Sequence, residues 1–242
     1  QVPTGAAGGL RTFVGRGVSY FDETSVNPYM QRWTLSVQRE LPGRILVQTA
    51  YVGNRGTKMS VSREWNAVPR QYLSTSPVRD QATIDYLGAQ VTNPFTTIPD
   101  FAGTGLSGVR TGRSQQLRPY PHFTSVATGI ATGYSWYHSL QLHVERRFAN
   151  GFTFQTSWTW SKLMEAISYL NDTDPVPERC ISDQDFPHRL SASGIYELPV
   201  GRGKRFGGGW KGLLDGALGG WQLQGTYEGQ SGRALGFGNS IF

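Results

Sequence analysis

The sequence predicts an all-β fold, an antiparallel transmembrane β-barrel segment, from three observations. Several segments alternate between apolar and polar residues, which places the two kinds of side chain on opposite faces of a strand. Aromatic residues gather toward both ends of these segments, and the connections alternate between short and very long. These features are typical of strands that cross an outer membrane. They predict about six to eight strands of a transmembrane β-barrel.

Six strands are predicted, each with one mainly apolar and one mainly polar face. In Phe152–Lys162, the side chains of Phe152, Phe154, Trp158 and Trp160 share one face, and serine, threonine and glutamine occupy the other. The remaining predicted strands are Trp33–Leu41, Arg44–Gly53, Tyr137–Phe148, His188–Leu198 and Trp221–Gly229. We expect the polar faces to line an aqueous lumen and the apolar faces to meet lipid.

The connections fix the expected orientation of these strands. Antiparallel strands that cross a membrane place alternate connections on opposite sides, and barrels of this class keep the periplasmic ones short. The short connections are Pro42-Gly43 and Ala149–Gly151, and the long ones are Asn54–Trp136 and Leu163–Pro187. The third inner connection, Pro199–Gly220, is longer than this pattern favours. It predicts a glycine-rich turn with a brief helix around Trp210–Leu218.

Composition excludes several other classes. Among 242 residues, 12% are aromatic and 17% are charged, which is below the usual charged share of about 25%. No run of about 18 apolar residues predicts a transmembrane helix. The net charge of +6 comes from scattered lysines and arginines, which argues against a nucleic-acid partner. The single Cys180 excludes a disulfide framework within the chain.

The chemistry-bearing residues predict no catalytic, cofactor or metal site. The glycines of Gly201–Gly207 do not have the spacing of a phosphate-binding loop, so we expect a flexible basic turn. His138 and His143 lie on opposite faces of one strand and therefore cannot bind the same metal ion. His188 lies near Asp183 and Asp185 in the sequence, and we expect it to form a buried salt bridge or to order a loop.

An acidic group of residues follows the fourth strand. Its members are Asp172, Asp174, Glu178, Asp183 and Asp185. Carboxylate oxygens bind hard cations, but the spacing lacks the order of a calcium-binding loop. We expect a solvated loop here.

Several segments in combination resemble the barrel of TonB-dependent receptor-like proteins of the Oar type. They read NPYMQRWTLSVQRELPGRILVQTAYVGNRGTKM (27–59), LRPYPHFTSV (117–126), YHSLQLHVERRFANGFTFQTSWTWSK (137–162), SDQDFPHRLSASGIYELPVGRGKRF (182–206) and GGWQLQGTYEGQSGRAL (219–235). The resemblance implies a large bacterial outer-membrane barrel that encloses a plug domain. It also implies transport energised by an inner-membrane TonB-type complex that contacts a periplasmic TonB box.

Members of that family also carry an N-terminal carboxypeptidase-regulatory-like domain. No segment here resembles that domain, the plug or the TonB box. A transporter of about 22 strands needs more strands than are predicted here. We therefore expect residues 1–242 to be an internal or C-terminal fragment of the barrel. Many outer-membrane proteins end in an aromatic residue, but Gly238-Asn239-Ser240 breaks strand alternation, so we expect Phe242 to mark truncation.

The expected function is non-catalytic solute uptake or surface ligand binding, without a cofactor. The expected partners are outer-membrane lipid, the TonB-type complex through parts outside this sequence, and an unknown solute or surface ligand. One alternative is an adhesion or secretion-related barrel with no uptake role. The other is a soluble all-β carbohydrate-binding or enzyme module, in which aromatics should concentrate in mid-strand.

Overall fold

The computed structural model describes residues 5–235, in which one large β-sheet dominates. The strands are β1 Gly17–Tyr20, β2 Tyr29–Leu41, β3 Ile45–Glu64, β4 Gln90–Thr92, β5 Arg110–Gly112, β6 Ser125–Ala149, β7 Phe152–Ala166, β8 Cys180–Ile181, β9 His188–Glu197 and β10 Gln222–Gln230. The helices are α1 Gln81–Gly88, α2 Arg113–Gln116 and α3 Leu213–Leu218. Short 3₁₀ turns span Gly5–Arg11, Arg70–Tyr72 and Pro99–Phe101. Phe242, discussed above as a chain end, lies outside the described residues.

The large sheet has the strand order β10-β9-β7-β6-β3-β2, and every pair along this path is antiparallel. β1 pairs in parallel with the start of β6, and β8 adds a short pairing to the end of β7. β2 and β10 form the two edges, so the sheet is not closed within the described residues. The predicted all-β antiparallel fold is confirmed.

The predicted loop Asn54–Trp136 is wrong in its extent. β3 continues to Glu64 and β6 begins at Ser125, and these extensions pair with each other. The register shifts near Lys58, which has a positive φ of 57°. The alternation that predicts strands is lost over residues 54–58, because glycine and polar residues occupy both faces there. Backbone hydrogen bonds alone can continue a ladder that needs no apolar face.

Smaller boundaries also differ from the predictions. Arg44 does not begin a strand; it is the last residue of a three-residue turn, with a φ of 62°. β7 runs through Ala166 and pairs with β8, so the predicted loop Leu163–Pro187 partly belongs to the sheet. The helix in the third inner connection is α3, which is shorter than the predicted Trp210–Leu218. β9 ends one residue before the predicted Leu198, and β10 is displaced by one residue from its predicted range.

Buried apolar side chains are few for a chain of this size. Among the described residues they are Ala50, Val52, Val61, Phe101, Leu106 and Ala166. In contrast, Leu35 and Val37 on β2 are each 68% exposed. Among residues 5–235, no helix combines the length and the apolar character that crossing a bilayer requires. The sheet therefore has no conventional hydrophobic core on its apolar side.

Candidate functional site: a two-faced sheet and its loop cap

The apolar residues of the six main strands form one continuous face. The strand register places residues of like character side by side, so that Val37, Thr49, Leu142, Trp158 and Leu190 form one row across five strands. Neighbouring rows contain Leu35, Tyr51, Leu140 and Trp160 on one side and Val47, Val144, Ala192 and Tyr227 on the other. We call this surface the apolar face.

The opposite surface, which we call the polar face, is lined by amides and hydroxyls. One of its rows contains Gln38, Gln48, His143, Ser157, Ser191 and Glu228. His143 Nδ1 lies 2.8 Å from Ser157 Oγ, and its Nε2 lies 3.8 Å from the Glu145 carboxylate. His138, in contrast, lies on the apolar face, so the predicted separation of the two histidines is confirmed. The two faces differ in character over the whole width of the sheet.

Aromatic side chains mark the end of the apolar face that carries the long loops. The Tyr51 hydroxyl lies 2.7 Å from His138 Nδ1, and the Trp158 ring stacks on His188 at a centroid distance of 5.9 Å. The Trp33 indole covers Gly53, where a Cβ would lie 2.2 Å from the indole nitrogen. At the turn end, Phe152 contacts Tyr196 edge-to-face.

The distance between these two aromatic ends suits a bilayer. Phe152 and Trp160 are eight residues apart on β7, which is about 27 Å at ~3.4 Å per residue. A strand tilt of about 40° reduces this length to about 20 Å along the membrane normal, close to the ~25 Å apolar band of outer-membrane barrels. The spacing of the two aromatic ends is therefore compatible with the two interfaces of a membrane.

Asp185 orders the loop that follows β7. Its carboxylate is almost fully buried and accepts hydrogen bonds from Lys162 Nζ at 2.9 Å and from the Leu163 backbone nitrogen at 2.7 Å. The predicted solvated loop is therefore wrong for Asp185, which is buried by its two partners. The acidic residues form no group with metal-ligand geometry in the part of the chain that the structure describes.

Of the two roles predicted for His188, the buried salt bridge is wrong, because Lys162 pairs with Asp185 and the exposed His188 ring stacks on Trp158. The His188 backbone forms hydrogen bonds with the Ser231 hydroxyl just after β10, and a loop-ordering role stays a prediction.

The glycine-rich turn after β9 forms no phosphate-binding loop. Gly201, Gly203 and Gly207 all have positive φ angles, which bend the chain tightly. Lys204 lies 2.9 Å from the Glu197 carboxylate. The predicted basic turn is confirmed.

Residues 65–124, which we call the loop cap, fold into a small unit beyond the extended β3–β6 hairpin. Asn66 is fully buried at its base: its Nδ2 donates to the carbonyls of Tyr120 and Phe123, and its Oδ1 accepts from the Tyr120 nitrogen. Asn93 is buried further out, and its Nδ2 donates to the carbonyls of Leu106 and Gly108. Buried amides thus hold segments of the cap that have no regular secondary structure.

Glu64 joins the loop cap to the sheet, outside the part of β3 that lies between the aromatic belts. Its carboxylate accepts hydrogen bonds from the Ser125 hydroxyl and from the backbone nitrogens of Val126 and Asn66. Burial alone would raise the pKa of Glu64. The hydrogen bonds and the positive charge of Arg118 outweigh that effect and lower its pKa below the usual value.

Arg63 connects the loop cap to the second long loop. Its guanidinium lies 4.3 Å from the Tyr169 ring centroid and 5.6 Å from that of Trp65, and it donates a hydrogen bond to the Asp174 carbonyl. The Asp172 residue is exposed overall, but partial desolvation of its carboxyl and the nearby Glu64 charge raise its pKa. The two long loops therefore share one charged junction.

Sequence reasoning missed Arg63, Glu64 and Asn66 because they fall inside a segment predicted to be loop. Each acts through a contact with a residue more than 50 positions away in the chain. No periodic pattern marks such partners, since the contacts depend on how the loop folds back.

One comparison with known proteins gives a match. Residues 1–241 match the family model described as an outer membrane β-barrel domain. No curated protein and no solved structure matches the sequence. The family match includes both the two-faced sheet and the loop cap.

Proposed function

Since the chain belongs to the outer membrane β-barrel domain family, we propose that it forms part of the wall of a TonB-dependent receptor-like barrel. Such a barrel takes up a solute or binds a ligand at the cell surface, and this part of it is non-catalytic. The protein is located in the bacterial outer membrane. That location does not agree with a soluble carbohydrate-binding or enzyme module.

The observation that carries the proposal is the separation of an apolar from a polar face across six strands, with few exceptions such as Arg146 on the first and Ile195 on the second. An apolar face without a protein cover suits acyl chains, which cannot hydrogen-bond exposed backbone groups but accept apolar side chains. A face of glutamine, serine and threonine suits an aqueous lumen. Leu142 and Gln141 are neighbours on β6 with opposite expected surroundings.

The long-loop side supports ligand selection at the cell surface. The loop cap and the loop after β7 lie on that side and are joined by Arg63. Neutral amides and hydroxyls predominate on the polar face, which favours a hydrophilic solute in the lumen. Energy for uptake would come from a TonB-type complex that contacts parts of the protein outside this chain.

The full-length protein, purified in detergent, tests this proposal. A barrel should show heat-modifiable mobility on gels, and a TonB-dependent barrel should bind the periplasmic domain of the TonB-type protein of its own organism. Calorimetric titration of that domain measures the second property. A heat-modifiable barrel that does not bind the domain would contradict energised uptake.

A second candidate is a surface adhesion or secretion-related barrel without an uptake role. The loop cap favours it, because buried Asn66 and Asn93 hold an ordered surface unit rather than a simple loop. Replacement of residues 69–118 by a short Gly-Ser linker distinguishes the two. Loss of cell-to-cell aggregation, together with absent TonB binding, would support adhesion.

A further inference from the structure

We propose that the turn end of the apolar face binds an anionic glycerophospholipid, with three arginines holding the phosphate and a groove holding an acyl chain. The arginines are Arg39, Arg44 and Arg146, which we call the arginine cluster. The inference rests on the proposed lipid-facing assignment of the apolar face. It adds a specific headgroup preference, which a generic membrane wall does not require.

The strand register brings the arginine cluster together from distant parts of the sequence. Ile45 pairs with Leu41 on one side and with Arg146 on the other. Arg39 lies two residues before Leu41 on the same face, and the Arg44 carbonyl accepts a hydrogen bond from the Arg147 nitrogen. The register therefore places Arg39 and Arg146 on the apolar face, two strands apart at about 4.8 Å per strand, and Arg44 lies in the turn between β2 and β3 beside them.

The charges of the arginine cluster have no protein counter-ion. Among the described residues, no ion pair includes any of the three. Arg146 lies over the Phe152 ring at 5.4 Å, and its Nε is buried without a hydrogen-bond partner. Arg44 makes one long hydrogen bond, 3.4 Å to the Phe148 carbonyl.

Acidic residues at the same level lie on the other face. They are Glu40, Glu145 and Glu197, and the register places all of them on the polar face. A cation near the end of a lipid-exposed strand can extend its charge to the interface, where lipid phosphates lie. This separation of charge provides unpaired positive groups where an anionic headgroup would be.

A groove on the apolar face leads away from Arg39. It has a volume of about 440 Å³ and is lined mainly by apolar side chains from β2, β3 and β6, among them Leu35, Val37, Val47 and Leu140. From Leu41 to Leu35 it follows six residues, about 20 Å at ~3.4 Å per residue. At a tilt of about 40° this is about 15 Å of depth, or one leaflet of a ~30 Å hydrocarbon core. The groove and the cluster together match one acyl chain and its phosphate.

Native mass spectrometry of the full-length protein in detergent tests the proposal. Phosphatidylglycerol and phosphatidylcholine with identical acyl chains are titrated separately, and bound lipid is counted. We expect tighter binding of phosphatidylglycerol. Arg39→Gln, Arg44→Gln and Arg146→Gln should each lower the preference roughly fivefold, because a basic side chain near an anionic surface contributes about that factor.

Two controls keep the result specific. Arg55→Gln removes an exposed arginine from the other end of the same face of β3 and should leave the preference unchanged. Arg39→Lys keeps the charge and should retain most of it. Heat-modifiable mobility confirms that each variant is folded.

The outcomes separate this proposal from the one on which it rests. Equal binding of both lipids by the folded barrel, or a preference that survives all three glutamine substitutions, would overturn the headgroup site and leave the barrel assignment intact. The proposal would also be overturned if inorganic phosphate displaced the bound lipid and the length of the acyl chains had no effect on lipid binding. Failure of the unmodified protein to insert into phosphatidylcholine vesicles would instead overturn the lipid-facing assignment.

Discussion

The part of the sheet between the aromatic belts and the loop cap beyond it are held together by different means. Between the belts, strands pair through regular ladders and expose apolar side chains such as Leu35 and Val37. In the loop cap, buried polar side chains such as Asn66 and Asn93 connect irregular segments. A region whose surroundings are apolar needs only backbone pairing and outward-facing apolar groups. A region surrounded by water needs internal partners for its irregular backbone.

The strongest test of this difference compares the stability of Leu142→Arg with that of Gln141→Arg. Near the bilayer midplane, an arginine on the apolar face is expected to destabilise the folded barrel by about 2–4 kcal/mol. An arginine on the polar face should be tolerated, because water surrounds it. The folded fraction after assembly into vesicles, read from heat-modifiable mobility, measures both. Equal tolerance would contradict the assigned faces.

A loss of stability of similar size is expected in the loop cap from Asn66→Ala. This change leaves two carbonyls and one backbone nitrogen without their partner, which costs about 2–3 kcal/mol in local stability. Hydrogen exchange should increase across residues 65–124 and stay unchanged between the aromatic belts. Asn54→Ala is the matched control, because within residues 5–235 the Asn54 side-chain amide hydrogen-bonds only to the Met30 sulfur. Faster exchange throughout the sheet would show that the two regions are not independent.

This division also explains how much the sequence predicts. The alternation of Phe152–Lys162 predicts a strand, and the short connection before it predicts a hairpin; the structure contains both, although Ala149 belongs to β6 and only Asn150 and Gly151 form the turn. Alternation with period two is informative because the two faces of a strand have different surroundings. The extension of β3 to Glu64 has no such pattern, since both of its faces are outside the apolar layer. The junction of Arg63 and Glu64 depends on contacts between residues far apart in the chain, and no periodic pattern in the sequence marks such contacts.

A smaller effect is expected at Gly53, where the Trp33 indole occupies the space of a side chain. Gly53→Ala should displace the indole and destabilise the barrel by about 1–3 kcal/mol, as overpacking does. Gly225→Ala on the same face meets open space and should have little effect. Urea unfolding in detergent compares the two. Similar midpoints would show that the contact of Trp33 with Gly53 does not contribute to stability.

The smallest effect is a pH dependence confined to the junction. The pKa of Glu64 is lower in the folded state than in the unfolded state, so its stabilising contribution is present above the usual glutamate pKa. That contribution is lost as the pH falls through the lowered value. The pKa of Asp172 is raised, so its protonation favours the folded state and works in the opposite direction.

Limited proteolysis of the loop cap between pH 7 and pH 3 measures this dependence. Wild-type protein should become more sensitive in the acid range, whereas Glu64→Gln should be sensitive already at neutral pH and change less. In Asp172→Asn, the sensitivity to proteolysis should rise more steeply toward acid pH than in wild type, because the variant lacks the carboxyl group whose protonation favours the folded state. Identical profiles for wild type and Glu64→Gln would contradict the role of Glu64.

The most direct test of the central claim uses spin labels on the full-length protein in a bilayer, with Cys180 replaced by serine. Labels at Leu142 and Thr49 should be relaxed by oxygen, which concentrates in lipid, and labels at Gln141 and Gln48 by a water-soluble nickel complex. This result would place the apolar face against acyl chains. If the nickel complex relaxed the labels at Leu142 and Thr49 as strongly as those at Gln141 and Gln48, the account would be contradicted.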